Sequence, residues 1–260
     1  MPIAKEWQNR PLESIYPIIF LDAIHYKVRS DGKIVNKATY VIMWININGI
    51  KDVLGIWIGE NENSKYWLNV LNELKNRGVQ DVLLACIDGL KGFSDALRVV
   101  YPNAEIQRCI IHQIRNSTRY ISYRNRKEFC KDLKEVYTAV NEDAALSALA
   151  DLDAKCGKTY SITINSWQNN WEELNTFFKY PEEIRRLIYT TNTIESYNRQ
   201  FRKATKSKSI FPTDDSLLKI LYHVTQDVSK KWIQPIRNWE YILDQLYIYF
   251  GDRIDLNQIR

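Results

Sequence analysis

Apolar and polar positions alternate along the first part of the chain and then change rhythm. Between Tyr16 and Val28 (YPIIFLDAIHYKV) the β-branched and aromatic residues predict a strand. The two-residue period puts Ile18, Phe20, Asp22 and Ile24 on one face. Ser30-Asp31-Gly32-Lys33 predicts a turn, residues 38–47 a second strand, and Asn48-Gly49 a hairpin leading into a third strand over 53–58. Asn63 and Ser64 can cap a helix with Trp67, Val70, Leu71 and Leu74 as its apolar stripe, stopped near Gly78. The run DVLLACID, residues 81–88, is short and continuously apolar, as in a strand covered on both faces. A helix with Phe93, Ala96, Leu97 and Val100 inward follows, closed by Pro102, and then a short strand over 104–109.

Beyond residue 109 the period becomes helical almost throughout. Leu146, Leu149 and Leu152 precede a stop at Gly157, and Trp167, Trp171, Leu174 and Phe178 share one side of another helix. Arg108, Arg115 and Arg119, spaced by seven and then four, form one basic stripe. From Ser216 to Phe250 the chain is helical and aromatic-rich, with a break at Pro235. The expected organisation is a loosely ordered lead-in over 1–15, an α/β segment over 16–108, an all-helical block over 109–180, and a segment over 181–260 that completes the core.

Composition narrows the class only slightly. At 260 residues, 45% hydrophobic and 26% charged, the chain can bury one large core or two modest ones. A net charge of +5 permits a nucleic-acid partner without requiring one. Cys86, Cys109, Cys130 and Cys156 are widely spaced and form no disulfide framework, which suits a reducing cytoplasm. The polar N-terminal residues do not read as a signal peptide, and no apolar run reaches the roughly 20 residues that cross a bilayer.

Candidate chemistry lies in three acids. Asp22 interrupts an apolar strand, where a charge needs a partner, a cation or an open cleft. Asp88 ends a buried strand, the position at which open α/β sheets place ligands. Glu195 opens the helix of TTNTIESYNRQFRK (190–203), with Asn198, Arg199 and Arg202 on its face and Ile194, Tyr197 and Phe201 behind. No acid and five bases occur between Ser196 and Ile210, so a carboxylate stands beside a basic run. Asn192-x-x-Glu195 also fits a capping box, which would confine Glu195 to the helix end. Carboxylates converging from separate elements can hold two Mg²⁺ or Mn²⁺ ions about 3.5–4 Å apart and support in-line displacement at phosphorus.

The segments FLDAIHYKVR, CIDGLKGF, RCIIHQIRN and TTNTIESYNRQFRK, in this order, resemble the Mutator-type transposases of bacterial insertion sequences over about residues 6–252. The resemblance implies an RNase H-like mixed sheet with a helical insertion, and a DDE triad at Asp22, Asp88 and Glu195 holding two Mg²⁺ or Mn²⁺ ions. The 195 − 88 = 107 residues between the last two acids leave room for that insertion. It also implies DNA cleavage and strand transfer, with transposon ends and target DNA as partners, a homodimer or higher assembly on DNA, no membrane, and a place in the cytoplasm near the nucleoid. Cys109-x-x-His112 matches the C-x-x-H signature of this group; two ligands are too few for a structural zinc site, so packing or substrate orientation is the expected role. Backbone contacts to DNA are expected from Arg115, Arg119, Arg199, Arg202 and Lys203, whose alternative is an ordinary solvated face. Family members are longer ahead of the first acid, so an N-terminally shortened copy is expected. The competing readings are an RNase H-like repair or recombination nuclease and an inactive DNA-binding or dimerising remnant.

Overall fold

Two consecutive residues with positive φ, Asp31 (49°) and Gly32 (75°), reverse the chain between its two longest strands. That is the geometry a two-residue hairpin demands, and Asp-Gly supplies it at little steric cost. The computed structural model describes residues 2–90, 92–189 and 192–254. Strand β1 (Ile15–Ser30) pairs antiparallel with β2 (Lys33–Ile45), which pairs antiparallel with β3 (Lys51–Gly59). β4 (Asp81–Ile87) joins the other side of β1 in parallel, and β5 (Glu105–Arg108) completes a mixed five-stranded sheet in the order β3-β2-β1-β4-β5. Tyr16 through Asp22 are buried at every position, as are Val82 through Ile87, so the central strands are covered on both faces.

The chain divides into two units, Met1–Glu105 with Thr191–Arg260, and Ile106–Thr190. In the first, α1 (Pro2–Gln8) precedes the sheet, and α2 (Ser64–Asn76) and α3 (Phe93–Val100) lie around β4 in sequence. Asn63 caps α2 by accepting a hydrogen bond from the Tyr66 amide at 2.9 Å. Trp67 stacks on Phe93 at 4.1 Å between ring centroids and meets Tyr40 edge-on at 4.8 Å, joining α2, α3 and β2 in one aromatic core. α10 (Asn192–Thr205), α11 (Asp214–Ser229) and α12 (Trp239–Phe250) complete this unit.

The lead-in expected over 1–15 is ordered instead. Gln8 accepts a hydrogen bond from the Ile56 amide at 3.0 Å, and Arg10 donates to the Val53 carbonyl at 2.6 Å. These edge groups of β3 would otherwise lack partners, and that requirement is invisible in a polar N-terminal sequence. The Asn48-Gly49 hairpin forms with a five-residue connection, because Asn46 Oδ1 accepts from the amides of both Asn48 and Ile50. Gly49 has φ 77°, and a Cβ there would stand 2.4 Å from Trp239 Cγ, so a side chain is excluded twice over.

The second unit is helical, from α4 (Ile110–Arg119), α5 (Tyr123–Tyr137) and α6 (Glu142–Cys156) to α7 (Ser161–Asn169), α8 (Trp171–Leu174), a 3-10 turn and α9 (Glu182–Ile188). Three details depart from the periodicity. Leu146 is exposed while Ala145 is buried, so the apolar stripe of α6 is rotated by one residue. Trp167, Trp171, Leu174 and Phe178 occupy three short elements, not one helix, and Phe177 takes the core place expected for Phe178. Arg108 lies in β5, outside any helix, and its guanidinium donates to Glu173 at 2.6 and 3.1 Å and to Asn170 at 2.6 Å. A nearly buried ion pair satisfies this arginine, so it does not extend a basic surface with Arg115 and Arg119.

Candidate active site

β4 stops where Asp22 begins. The last parallel pair is Leu21 with Ile87, so the next residues, Asp22 within β1 and Asp88 just past β4, follow it at the same level. Adjacent strands lie about 4.8 Å apart. Beyond this point β1 runs on without β4 until Phe211 takes up its edge, donating to the Lys27 carbonyl at 2.9 Å and accepting from the Arg29 amide at 2.8 Å. Asp22 therefore sits at a notch in the sheet, buried to 8% exposure, while Asp88 is half-buried just past its strand.

Helix α10 packs against β1. Asn198, fully buried, donates from Nδ2 to Asp22 Oδ2 at 2.6 Å; Asp22 Oδ1 accepts from the Ala23 amide at 2.8 Å. The two bonds hold the Asp22 carboxylate in one orientation. Tyr197 and Phe201 anchor the helix from behind with rings 4.5 Å apart. The Tyr197 hydroxyl bonds the hydroxyl of Thr225 on α11, which itself donates to the Leu221 carbonyl. Burial raises the Tyr197 phenol far above its ordinary pKa. At the far end of α10, Thr205 is buried and donates back to the Phe201 carbonyl at 2.9 Å. Glu195 lies one turn before Asn198, half-buried, in the first turn of the helix. Asn192, the residue expected to cap this helix, is its first residue.

The acids are oxygen donors of the kind Mg²⁺ and Mn²⁺ prefer. Asn198, which bonds Asp22 through Nδ2, has a buried Oδ1 with no hydrogen-bond partner, an acceptor suited to a hydrated cation next to Asp22. Among the described residues no three His, Cys, Asp or Glu side chains close into a metal cluster. The fit therefore lies in donor type and strand register; the side chains are not gathered around one point.

A family profile described as "Transposase, Mutator family" matches residues 1–235. The chain belongs to this family. It is 44% identical over 249 residues to a probable transposase for an ISRM3-like insertion sequence element from Sinorhizobium fredii, covering 95% of this chain and 62% of that one. The transposase for insertion sequence element ISRM3 from Rhizobium meliloti matches to the same extent. A transposase of element IS256 in transposon Tn4001 from Staphylococcus aureus is 29% identical over 241 residues, 92% of this chain and 62% of that one. The chain thus spans about three fifths of the length of these Mutator-family relatives.

The basic residues singled out from the sequence divide between the units. Arg199, Arg202 and Lys203 are exposed on α10 of the first; Arg115 and Arg119 are exposed on α4 of the second. Cys109 is buried at the start of α4 and His112 half-buried one turn on. Sequence reasoning grouped Asn198 with the polar face of α10, whereas the helix turns it inward. Its position one turn after Glu195 was legible; its burial against Asp22, 176 residues away, was not. Among the described residues no helix is long and apolar enough to cross a membrane.

Proposed function

We propose that the first unit is an RNase H-like catalytic core that cleaves DNA at an element end and joins the freed 3′-hydroxyl to target DNA, with Asp22, Asp88 and Glu195 as its acid triad. What supports this reading is the level shared by Asp22 and Asp88 at the end of the β1–β4 pairing, together with the Asn198–Asp22 bond that brings the Glu195 helix to the same notch. The sheet order, an antiparallel β3-β2-β1 meander continued on the β1 side by the parallel β4 and then β5, supports the RNase H-like reading. Asp22, Asp88 and Glu195 would hold two Mg²⁺ or Mn²⁺ ions, which supply activation of the attacking oxygen and neutralisation of the leaving one.

The protein's own part is positioning. Asn198 fixes the rotamer of Asp22, and the β1–β4 register fixes the origin of Asp88. The Tyr197–Thr225 contact sets the depth of α10 and so the reach of Glu195. Arg199, Arg202 and Lys203, exposed along the same helix, face a phosphodiester backbone and steer it towards the acids. Transposon ends and target DNA are the partners in this reading, and two ends handled together call for a dimer or higher assembly.

The test is strand cleavage of plasmid DNA by the purified chain in Mg²⁺. Asp88→Asn and Glu195→Gln are expected to abolish nicking with an unchanged circular dichroism spectrum. Full activity in either variant would sink the triad. Joining of a labelled 3′-hydroxyl end to a second duplex separates transposition chemistry from hydrolysis alone.

A further inference from the structure

Helix α10 has a second polar face that the acid site does not use. At about 100° per residue, Ser196 and Gln200 point away from the Glu195–Asn198 side, with Arg199 and Lys203 between the two faces. Ser196 and Gln200 line a cavity of about 230 Å³ whose other walls include Lys51 at the start of β3 and Lys231 and Trp232 just beyond α11. Every one of these residues belongs to the first unit.

The lining is chemically mixed. Among the described residues neither lysine is in an ion pair, although Lys51 is half-buried. Burial lowers the Lys51 pKa from its ordinary value, so an anion placed beside it would relieve a desolvated ammonium. Trp232 is half-buried, and its ring lies 5.7 Å from that of the buried Tyr197, the same residue that anchors the Glu195 helix. Two cations, a hydroxyl, an amide and an indole around a space of this size match a phosphate with an attached base or sugar. They do not match an apolar ligand, because the cations would be buried without compensation.

We propose that this cavity is a nucleotide subsite for a DNA strand leaving the acid site, in which Lys51 and Lys231 take a backbone phosphate and Trp232 stacks on an unpaired base. The inference rests on the DNA reading above and deepens it. The strand would cross the helix over Arg199 and Lys203, from the acid face to the cavity face. Stacking on an indole tolerates any base, so the subsite contributes affinity and strand path, not sequence preference.

The experiment measures binding of a fluorescein-labelled single-stranded oligonucleotide by anisotropy across a salt series. Lys51→Gln/Lys231→Gln is expected to reduce the log–log salt slope by about 0.7, the share of the one phosphate charge no longer neutralised. Lys51→Arg/Lys231→Arg should keep the wild-type slope. Trp232→Ala should weaken binding by about 5- to 150-fold. Trp232→Phe should retain most affinity yet lose the share of tryptophan quenching that the oligonucleotide causes in the wild type, which covers the case in which the alanine variant does not fold. Wild-type binding that the Gln/Gln variant matches in affinity and slope overturns the subsite and leaves the acid-site reading standing. No binding of any DNA by the folded wild type overturns both. A parallel titration with a free deoxynucleoside monophosphate distinguishes the ligand's source: variants that lose the monophosphate but keep the oligonucleotide overturn the strand assignment.

Discussion

Removing the Asn198 amide should loosen α10 from the sheet by a calculable amount. Asn198 is fully buried and donates to a carboxylate that is itself 8% exposed, at 2.6 Å. A hydrogen bond to a charged group contributes about 1.5–3 kcal/mol, and its loss leaves Asp22 Oδ2 without this donor. Asn198→Ala also deletes the unpartnered Oδ1, which relieves part of that loss. The net destabilisation is then about 1–2 kcal/mol, or roughly 2–8 °C in Tm for a chain of this size. Asn198→Asp should cost more than alanine at pH 7, because it sets a second carboxylate against Asp22. The excess should shrink as the pH falls, once one proton shared by the pair turns repulsion into a hydrogen bond. Urea unfolding gives the global value, and hydrogen exchange at α10 amides reads the same interaction locally, which matters because two units need not unfold together. If Asn198→Ala melts like the wild type and Asn198→Asp is no worse at pH 7, the bond does not hold the helix, and the positioning of Glu195 needs another cause.

The triad predicts that chelation of divalent ions stops nicking of plasmid DNA, and that Mg²⁺ or Mn²⁺ restores it while Ca²⁺ supports it poorly; nicking that persists in excess chelator would refute the metal reading. In the second unit, Glu173→Gln should destabilise by about 3 kcal/mol or more, since it leaves the Arg108 guanidinium nearly buried beside a neutral amide; thermal unfolding of the variant checks this. Stability should fall as pH rises above about 10. Burial raises the phenols of Tyr16, Tyr101 and Tyr197, and pushes that of Tyr40 to about 12, so the unfolded chain releases protons that the folded one retains. For Tyr40 the loss runs between about pH 10 and about 12, and Tyr40→Phe should flatten that part of the urea-midpoint profile.

What the sequence alone determined was mostly local. The Asp31-Gly32 turn, the Asn63 cap, the Trp67–Leu74 stripe and the continuous burial of β4 are each decided within a few residues, by φ preference, hydrogen-bond capping or side-chain period. The three acids stood out in the sequence, each as a charge in the wrong or a privileged place, but the shared level of Asp22 and Asp88 came from the β1–β4 pairing. Tertiary structure decided what depends on distant partners. It buried Asn198 against Asp22, paired Arg108 with Glu173, and gave the polar N-terminal residues the unpaired edge of β3 to bond. A polar side chain reads the same in sequence whether it ends in water or against a buried charge, because its environment is set by elements folded in from elsewhere in the chain.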